Sequence, residues 1–299
     1  MNWLQTLVDA IGLGSVYALM AVGIGLVFGV MRLVNFAYGQ LIMAGAYALA
    51  FTDSWGDPLS IAACLAVVIA LSLLMELVAF RRLRNASPAT MLAATFAISF
   101  LLQSIALLRY SFANKPIGDT AGTLSELNRS FVVGSARIQW VTIVAIVVAV
   151  VTLGALALFL NRTSIGLQMR AAAADFRTAR MLGVRANTVI LLACVLSGIL
   201  AAIAAVILVV QTPLVTPDFA LRDTIIVLVG IVVGGIDRLV PATLGGFFIG
   251  FTTGFLGDAL PAGSRVYLPS AVFGLVVVVL LLRPTGLFTL FNKPSAQRV

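Results

Sequence analysis

The chain has 299 residues, of which 61% are hydrophobic and only 10% are charged. Its mean hydropathy of +1.12 excludes an ordinary soluble globular protein. The absence of histidine removes the commonest metal ligand and the usual general base. The 19 Lys and Arg residues outnumber the 11 Asp and Glu residues, and we assign this net charge of +8 to membrane topology and not to nucleic-acid binding.

Long uncharged runs recur along the chain, and a helix that crosses a bilayer needs roughly 20 predominantly apolar residues. We therefore predict an all-α, polytopic helical membrane protein with about nine spans, within a range of eight to ten. Residues 1–299 would form a single transmembrane domain. The predicted spans lie near residues 7–30, 36–52, 58–79, 88–108, 138–160, 188–211, 222–236, 240–257 and 266–283.

The distribution of basic residues predicts the orientation of these spans. With the N-terminus on the periplasmic side and the C-terminus in the cytoplasm, the inner loops hold 13 of the 19 Lys and Arg residues and the outer loops hold six. That bias agrees with the positive-inside rule.

Glycines at i, i+4 spacing occur inside several predicted spans, where they leave a flat stripe for a close neighbour. These stripes favour packing within the chain over a dimer face, and their members are Gly25/Gly29, Gly230/Gly234 and Gly246/Gly250/Gly254. Cys64 and Cys194 each lie in an apolar run, and we interpret them as packing residues that form no disulfide.

The periplasmic loop 109–137 is the only long outer segment. Its stretch FVVGSARIQW predicts two short strands around Gly134 and Ser135, which would make a small hairpin. A cap over the bundle and a docking surface are equally compatible with this loop.

The cytoplasmic loop 161–187 holds five arginines and one acid between two apolar spans. Its alanine-rich part predicts a helix from Leu167 to Leu182, and Gly183 is placed to end that helix in the left-handed conformation. Composition alone favours a linker whose arginines meet lipid headgroups. The sharper alternative is a helix that a soluble motor domain grips.

Catalytic motifs are missing from the sequence. Neither of the two lysines, Lys115 and Lys293, follows a glycine, so the chain has no P-loop and ATP hydrolysis would require another polypeptide. Glu76 is an acid near the end of a span, and we expect it to pair with Arg81 and Arg82 at the interface, not to carry protons.

The stretch SIGLQMRAAAADFRTARMLGV resembles the cytoplasmic loop of LivH-type permease subunits of ABC importers for branched-chain amino acids. Three further stretches resemble the same family in the same order: the first hairpin with its Asn35-Phe36-Ala37 turn, ELVAFRRLR and RPTGLF. The resemblance runs from about residue 10 to 290. It implies ATPase-coupling positions at Gly166, Arg170, Ala171, Asp175, Ala179, Leu182 and Gly183.

This resemblance implies a multi-pass permease subunit of the bacterial inner (plasma) membrane that moves branched-chain or other small, mainly apolar amino acids inward. It would be a transport subunit and not an enzyme, with no metal or cofactor of its own, because ATP and Mg²⁺ would bind partner subunits. The implied partners are a second permease chain (LivM-like or a second copy), two cytoplasmic ATPases, a periplasmic solute-binding protein and the lipid bilayer, and no nucleic acid.

Departures from the family pattern keep the substrate open. Tyr38 and Gln40 stand where the family usually has histidine and glutamate, and the stretch GGIDRLVPA places Asp237 and Arg238 where small residues are usual. A urea or short-amide permease of the same family is therefore an alternative, and an ion-coupled secondary carrier is a more distant one. The polar residues that could line a pathway are Asn35, Tyr38, Gln40, Thr95, Gln103 and Gln211.

Overall fold

The structure is a computed structural model that describes residues 3–83, 86–111, 127–133, 136–212, 214–236, 238–283 and 287. Helices dominate it, as predicted. Their bounds are α1 (Trp3–Met31), α2 (Tyr38–Thr52), α3 (Asp57–Met75), α4 (Arg81–Leu83), α5 (Pro88–Ser111), α6 (Trp140–Arg162), α7 (Ser164–Ala174), α8 (Phe176–Met181), α9 (Ala186–Gln211), α10 (Leu221–Gly234), α11 (Leu239–Ala259) and α12 (Leu268–Leu282).

Each predicted span falls on one of these helices, although several ends differ. Six helical stretches of the described chain are long and apolar enough to cross a membrane: 3–31, 57–83, 89–108, 140–162, 187–211 and 239–259. The second of these runs from α3 through a π-helical turn, Glu76–Phe80, into α4. The polytopic helical class is thus confirmed. Helices α2, α10 and α12 have only 15, 14 and 15 residues, so the count of nine spans and the orientation stay predictions.

Helix α1 occupies the centre of the bundle, against α6, α9, α10 and α11. Its longest contact is with α11, where three glycines come against its backbone. A Cβ added at Gly250 would lie 2.7 Å from the Gly14 Cα, and one at Gly254 would lie 2.8 Å from the Ala10 Cα. Gly246 meets the Tyr17 carbonyl in the same way. The prediction that this glycine stripe packs within the chain is confirmed.

The pair α10–α11 approaches just as closely. A Cβ on Gly230 would lie 3.0 Å from the Gly245 carbonyl oxygen, and Gly234 faces the Pro241 carbonyl oxygen and the Gly245 backbone. The second predicted stripe therefore also serves intrachain packing.

The connection from α1 to α2 runs back into the bundle. Leu33, Asn35 and Ala37 are almost fully buried, and the Thr95 hydroxyl on α5 lies 3.4 Å from the Val34 carbonyl oxygen. Thr95 is seven residues past the start of α5, roughly 10 Å along its axis. Helix α2 therefore begins inside the bundle. The span predicted from residue 36 starts at Tyr38, because Asn35–Ala37 form this buried turn.

Strands β1 (Ser130–Val133) and β2 (Ala136–Gln139) pair antiparallel, with Phe131 opposite Ile138, so the predicted hairpin is confirmed. The pairing explains why α6 starts at Trp140 and not at residue 138. Residues 112–126 and 134–135 of the outer loop, Asp237, and residues 284–286 of RPTGLF lie outside the described residues. Cys64 and Cys194 are both buried and are not joined in a disulfide, as predicted.

Candidate functional site

The coupling segment, residues 161–187, leaves the end of α6 through a tight turn. The Thr163 hydroxyl accepts a hydrogen bond from the Gly166 amide at 3.0 Å and donates one to the Phe159 carbonyl oxygen at 2.7 Å. Thr163 thus caps the N-terminus of α7 while it holds the end of α6. A Cβ on Gly166 would overlap the backbone of Leu160 and would lie 2.6 Å from the Phe159 carbonyl oxygen. Only glycine fits at this position of the segment.

The single helix predicted over Leu167–Leu182 is wrong, because the segment breaks at Asp175. This residue has an extended backbone, with φ −151° and ψ 104°. Its carboxylate accepts hydrogen bonds from the Thr178 amide at 3.1 Å and from the Thr178 hydroxyl at 2.6 Å. Asp175 therefore ends α7 and caps α8, which is a role that aspartate often takes in preference to a helix interior.

Gly183 ends α8 in the left-handed conformation, with φ +90°, as predicted. The Val184 amide donates to the Ala179 carbonyl oxygen at 3.1 Å, which is the long bond of a Schellman motif. The coupling segment consequently has a defined beginning, break and end.

The predicted coupling residues divide between two faces of this segment. Gly166 and Ala179 are buried and hold α7 and α8 against the bundle, together with Met169 and Ala172. The other five are exposed: Arg170, Ala171, Asp175, Leu182 and Gly183. Leu182 is 81% exposed and its neighbour Met181 is 79% exposed. These two apolar side chains, which stand among arginines, are accessible both to lipid and to a partner protein.

The structure adds a residue that the sequence analysis did not select. Arg32 follows α1 in the left-handed region, with φ +53°, and its guanidinium donates to the Ala173 carbonyl oxygen at 3.2 Å. It also lies 6.0 Å from the centroid of the Phe28 ring. Since Ala173 lies in the last turn of α7, the cation meets the negative end of that helix. Arg32 thereby ties α1 to the coupling segment.

Three of the predicted pathway residues lie at the buried turn before α2. The Asn35 side chain accepts a hydrogen bond from the Ala37 amide at 3.0 Å. The Tyr38 ring packs on α1 so tightly that a Cβ on Gly23 would overlap its hydroxyl. Thr95 approaches from α5, where it contacts the Val34 carbonyl oxygen. The turn therefore brings together Asn35, Tyr38 and Thr95.

Two polar atoms at this place have no hydrogen-bond partner in the structure: the Tyr38 hydroxyl and the Gln40 Oε1. Both side chains are at most 1% exposed. Buried polar atoms of native proteins are almost always hydrogen-bonded to protein or water. Each of these two atoms could therefore hydrogen-bond to a water or to a polar group of a ligand.

The other two pathway candidates lie elsewhere. Gln103 is half-buried on α5, eight residues beyond Thr95 and roughly 12 Å along the helix. Gln211 is the last residue of α9 and is also half-buried. The structure does not bring either of them to the turn before α2.

A second hydrogen bond to α1 was also not predicted from the sequence. The Tyr17 hydroxyl donates to the Asp223 carboxylate at 2.7 Å, which joins the middle of α1 to the first turn of α10. Beside it, the Thr224 hydroxyl would lie 2.6 Å from a Cβ on Gly39, so the starts of α2 and α10 touch. No spacing rule relates positions that are 206 residues apart.

The described residues contain no cluster of three or more His, Cys, Asp or Glu side chains that could hold a metal ion. The coupling segment is thus a helical unit with exposed residues that is hydrogen-bonded to the end of α6 and to Arg32 after α1.

Comparisons with known proteins identify the family of the chain. The family profile described as "Branched-chain amino acid transport system / permease component" matches residues 6–282. The chain is 32% identical over 314 residues to the high-affinity branched-chain amino acid transport system permease protein BraD of Pseudomonas aeruginosa, covering 100% of this chain and 98% of BraD. It is 28% identical over 318 residues to the LivH permease protein of Escherichia coli, covering 99% and 98% of the two chains.

A probable branched-chain amino acid transport permease protein LivH of Methanocaldococcus jannaschii is 28% identical over 290 residues, or 93% of this chain and 90% of that relative. These relatives are transport components and not enzymes. The chain belongs to the branched-chain amino acid transport system permease family.

Proposed function

We propose that this chain is the transmembrane permease subunit of an ATP-binding-cassette importer that moves branched-chain, or other small and mainly apolar, amino acids inward. The observation that carries the proposal is the family match over residues 6–282, together with relatives that align along nearly their whole length. The membrane is the bacterial inner membrane, with nine spans and a periplasmic N-terminus. The basic residues on the inner loops support that orientation.

The proposed partners are two cytoplasmic ATPases, a second permease chain and a periplasmic solute-binding protein. One ATPase binds the coupling segment in a groove on its surface. The exposed Met181 and Leu182 side chains would enter its groove, and Arg170 and Asp175 would make charge-assisted contacts there or with each other. Glycine at positions 166 and 183 sets the angle at which the two short helices are presented.

A movement of the coupling segment would be transmitted directly to the transmembrane helices. The Thr163 cap joins α7 to α6, and the bond from Arg32 to Ala173 joins α7 to α1. Because α1 also carries the contacts with Tyr38 and Asp223, a displacement of α7 would reach the buried polar turn through packed elements.

The buried turn is the proposed gate of the pathway. The unpartnered Tyr38 hydroxyl and Gln40 Oε1 would bind water or the polar groups of the substrate once α1 moves away. Asn35 and Thr95 belong to the same turn, while Gln103 and Gln211 would line outer parts of the route.

The coupling role is tested by a double charge reversal, Arg170→Glu with Asp175→Arg, in the complete importer in proteoliposomes. We expect ATP hydrolysis stimulated by the loaded solute-binding protein to fall at least tenfold, while the assembly still purifies. Arg82→Glu, an exposed arginine on α4, is the control and should leave stimulation unchanged. Full stimulation in the double variant would refute contacts of these two charges with the ATPase groove. A contact between the two side chains would survive this exchange of charges, so Arg170→Glu alone tests it.

The substrate is tested by competition. Uptake of labelled leucine should be inhibited by unlabelled isoleucine and valine and not by urea or acetamide. Inhibition by the amides alone would transfer the chain to the urea and short-amide alternative, which the neutral Tyr38 and Gln40 keep open.

A further inference from the structure

A cavity of about 700 Å³ lies between the coupling segment and the bundle, at the inner end of α1. Helix α7 forms one wall, α1 forms another, and the turn from α10 to α11 closes the third side. The cavity exists because small residues face it, among them Gly25, Gly29 and Ala173. Its volume falls within the range of sites that enclose a ligand of several hundred daltons.

Three arginines from three different segments line this cavity: Arg32 after α1, Arg170 on α7 and Arg238 before α11. None of the described lining residues is acidic. The guanidinium of Arg32 donates to the carbonyl oxygen of Ala173, which also lines the cavity. The convergence of three cations favours an occupant with net negative charge and several acceptor oxygens.

The remaining walls are apolar. Leu26, Val30, Leu160 and Leu239 line the cavity on the side of the membrane bundle. An occupant would therefore place its charged end among the arginines and its apolar part against these side chains. A zwitterionic amino acid has no net charge, so three cations would attract it less than they would attract an anion.

We propose that this cavity binds an anionic phospholipid of the inner leaflet, with the phosphate between the three arginines and the first part of an acyl chain against α1. Basic pockets between transmembrane helices on the cytoplasmic side have the chemistry for such headgroups. The bound lipid would bridge α1, α7 and the α10–α11 turn, and so would brace the coupling segment from behind. The inference rests on the proposed function only for the cytoplasmic placement of the cavity.

The test measures lipid binding to the purified full-length chain in neutral detergent, by native mass spectrometry and by thermal stabilisation. The probes are cardiolipin, phosphatidylglycerol, phosphatidylcholine and inorganic phosphate. The variant is Arg170→Gln with Arg238→Gln, which keeps the Arg32 bond intact. Its matched control is Arg82→Gln with Arg162→Gln, two exposed arginines on α4 and α6 outside the cavity lining.

We expect the two anionic lipids to bind and to raise the melting temperature, and phosphatidylcholine to do neither. The double variant should bind cardiolipin roughly 25-fold more weakly, because each arginine near an anionic headgroup contributes about fivefold. The control should bind like the natural chain. Equal affinity in variant and control would overturn the proposal.

A second variant tests the apolar part of the site. Gly29→Leu would fill the cavity from α1, where a Cβ would meet only the Ala173 Cβ at 3.8 Å. It should lower lipid binding at least fivefold and leave melting in neutral detergent unchanged. If millimolar phosphate alone protects the chain as well as cardiolipin, the site takes a free anion and the lipid proposal fails. If lipid binding is unaltered in Gly29→Leu, the acyl-chain part fails.

These measurements need no ATPase and no transport, so their failure leaves the importer proposal intact. Conversely, a chain that binds cardiolipin through Arg170 and Arg238 but transports no amino acid would contradict only the proposed function.

Discussion

Helices α1 and α6 are both apolar enough to span a membrane, yet they occupy opposite environments. The most apolar part of α1 has a mean hydropathy of 2.1 and is 78% buried, whereas that of α6 has a mean hydropathy of 3.0 and is 22% buried. The more apolar helix is thus the more exposed one. Lipid tails are as apolar as leucine, so hydropathy does not select the centre of a membrane bundle.

Close packing separates the two helices. The glycines of α1 meet their neighbours at contact distance: a Cβ on Gly14 would lie 3.0 Å from the Phe247 carbonyl oxygen. A Cβ added to Gly154 on α6 would have no neighbouring atom within 4 Å. Small residues that face other helices therefore define the central helix. Substitutions at the contacts of α1 should accordingly destabilise the chain more than substitutions on α6.

The largest difference in stability between α1 contacts and α6 should appear when glycines are replaced. Gly250→Leu on α11 would force a side chain into the Gly14 and Leu13 backbone of α1, and we expect it to cost about 4 kcal/mol of the free energy of unfolding or to prevent folding. Gly154→Leu on α6 should change that free energy by less than about 1 kcal/mol. Unfolding in mixed SDS and neutral-detergent micelles measures both. Equal effects would mean that α1 and α6 are packed alike.

Large apolar side chains should show the next difference. Leu19 on α1 is fully buried and Leu158 on α6 is 60% exposed. Truncation to alanine should cost about 3 kcal/mol at Leu19, because it leaves a cavity, and less than about 0.5 kcal/mol at Leu158. The same unfolding assay applies, without partner subunits. A large loss at Leu158 would show that this face of α6 is already packed in the isolated chain.

Loss of the hydrogen bond between Tyr17 on α1 and Asp223 on α10 should have a smaller effect on stability. Tyr17→Phe removes the donor to the Asp223 carboxylate, and we expect a loss of about 1.5 kcal/mol in the free energy of unfolding. Tyr267→Phe, at a tyrosine that is 68% exposed, serves as the control and should be neutral. If Tyr17→Phe is equally neutral, the bond does not hold α10 against α1.

The smallest stability effect is expected at Tyr38. Its hydroxyl has no hydrogen-bond partner within the protein, so Tyr38→Phe should change the free energy of unfolding by less than about 0.5 kcal/mol. Leucine uptake by the same variant should nevertheless fall, because the proposed open state uses that hydroxyl. A loss of stability of about 2 kcal/mol with normal uptake would assign the hydroxyl a structural role instead.

Local patterns predicted much of this molecule. Uncharged runs located the spans, i, i+4 glycines predicted close packing within the chain, and Gly183 was correctly placed at the end of the helical part of the coupling segment. These features depend on residues that are close in sequence or on properties of one helix. Helix propensity alone was nevertheless misleading at Asp175. The four alanines before it favour a continuous helix, but its carboxylate caps the next helix and so breaks the segment.

The features that the sequence did not predict depend on distant partners. The inward course of residues 33–37 is fixed by contacts with α5, and Arg32 reaches Ala173 across 141 positions. Tyr17 and Asp223 are farther apart still. None of these pairs has a periodic signal, because each requires the fold before its partner is defined.

The most direct test of the account is ATP-dependent uptake of labelled leucine by the complete importer, with Leu182 changed to aspartate or to methionine. Leu182→Asp should abolish uptake, since it places a charge on the exposed apolar contact of the coupling segment, while Leu182→Met should retain it. Leucine uptake that persists in Leu182→Asp, or that proceeds without the ATPase subunits, would contradict the claim that this segment drives the permease.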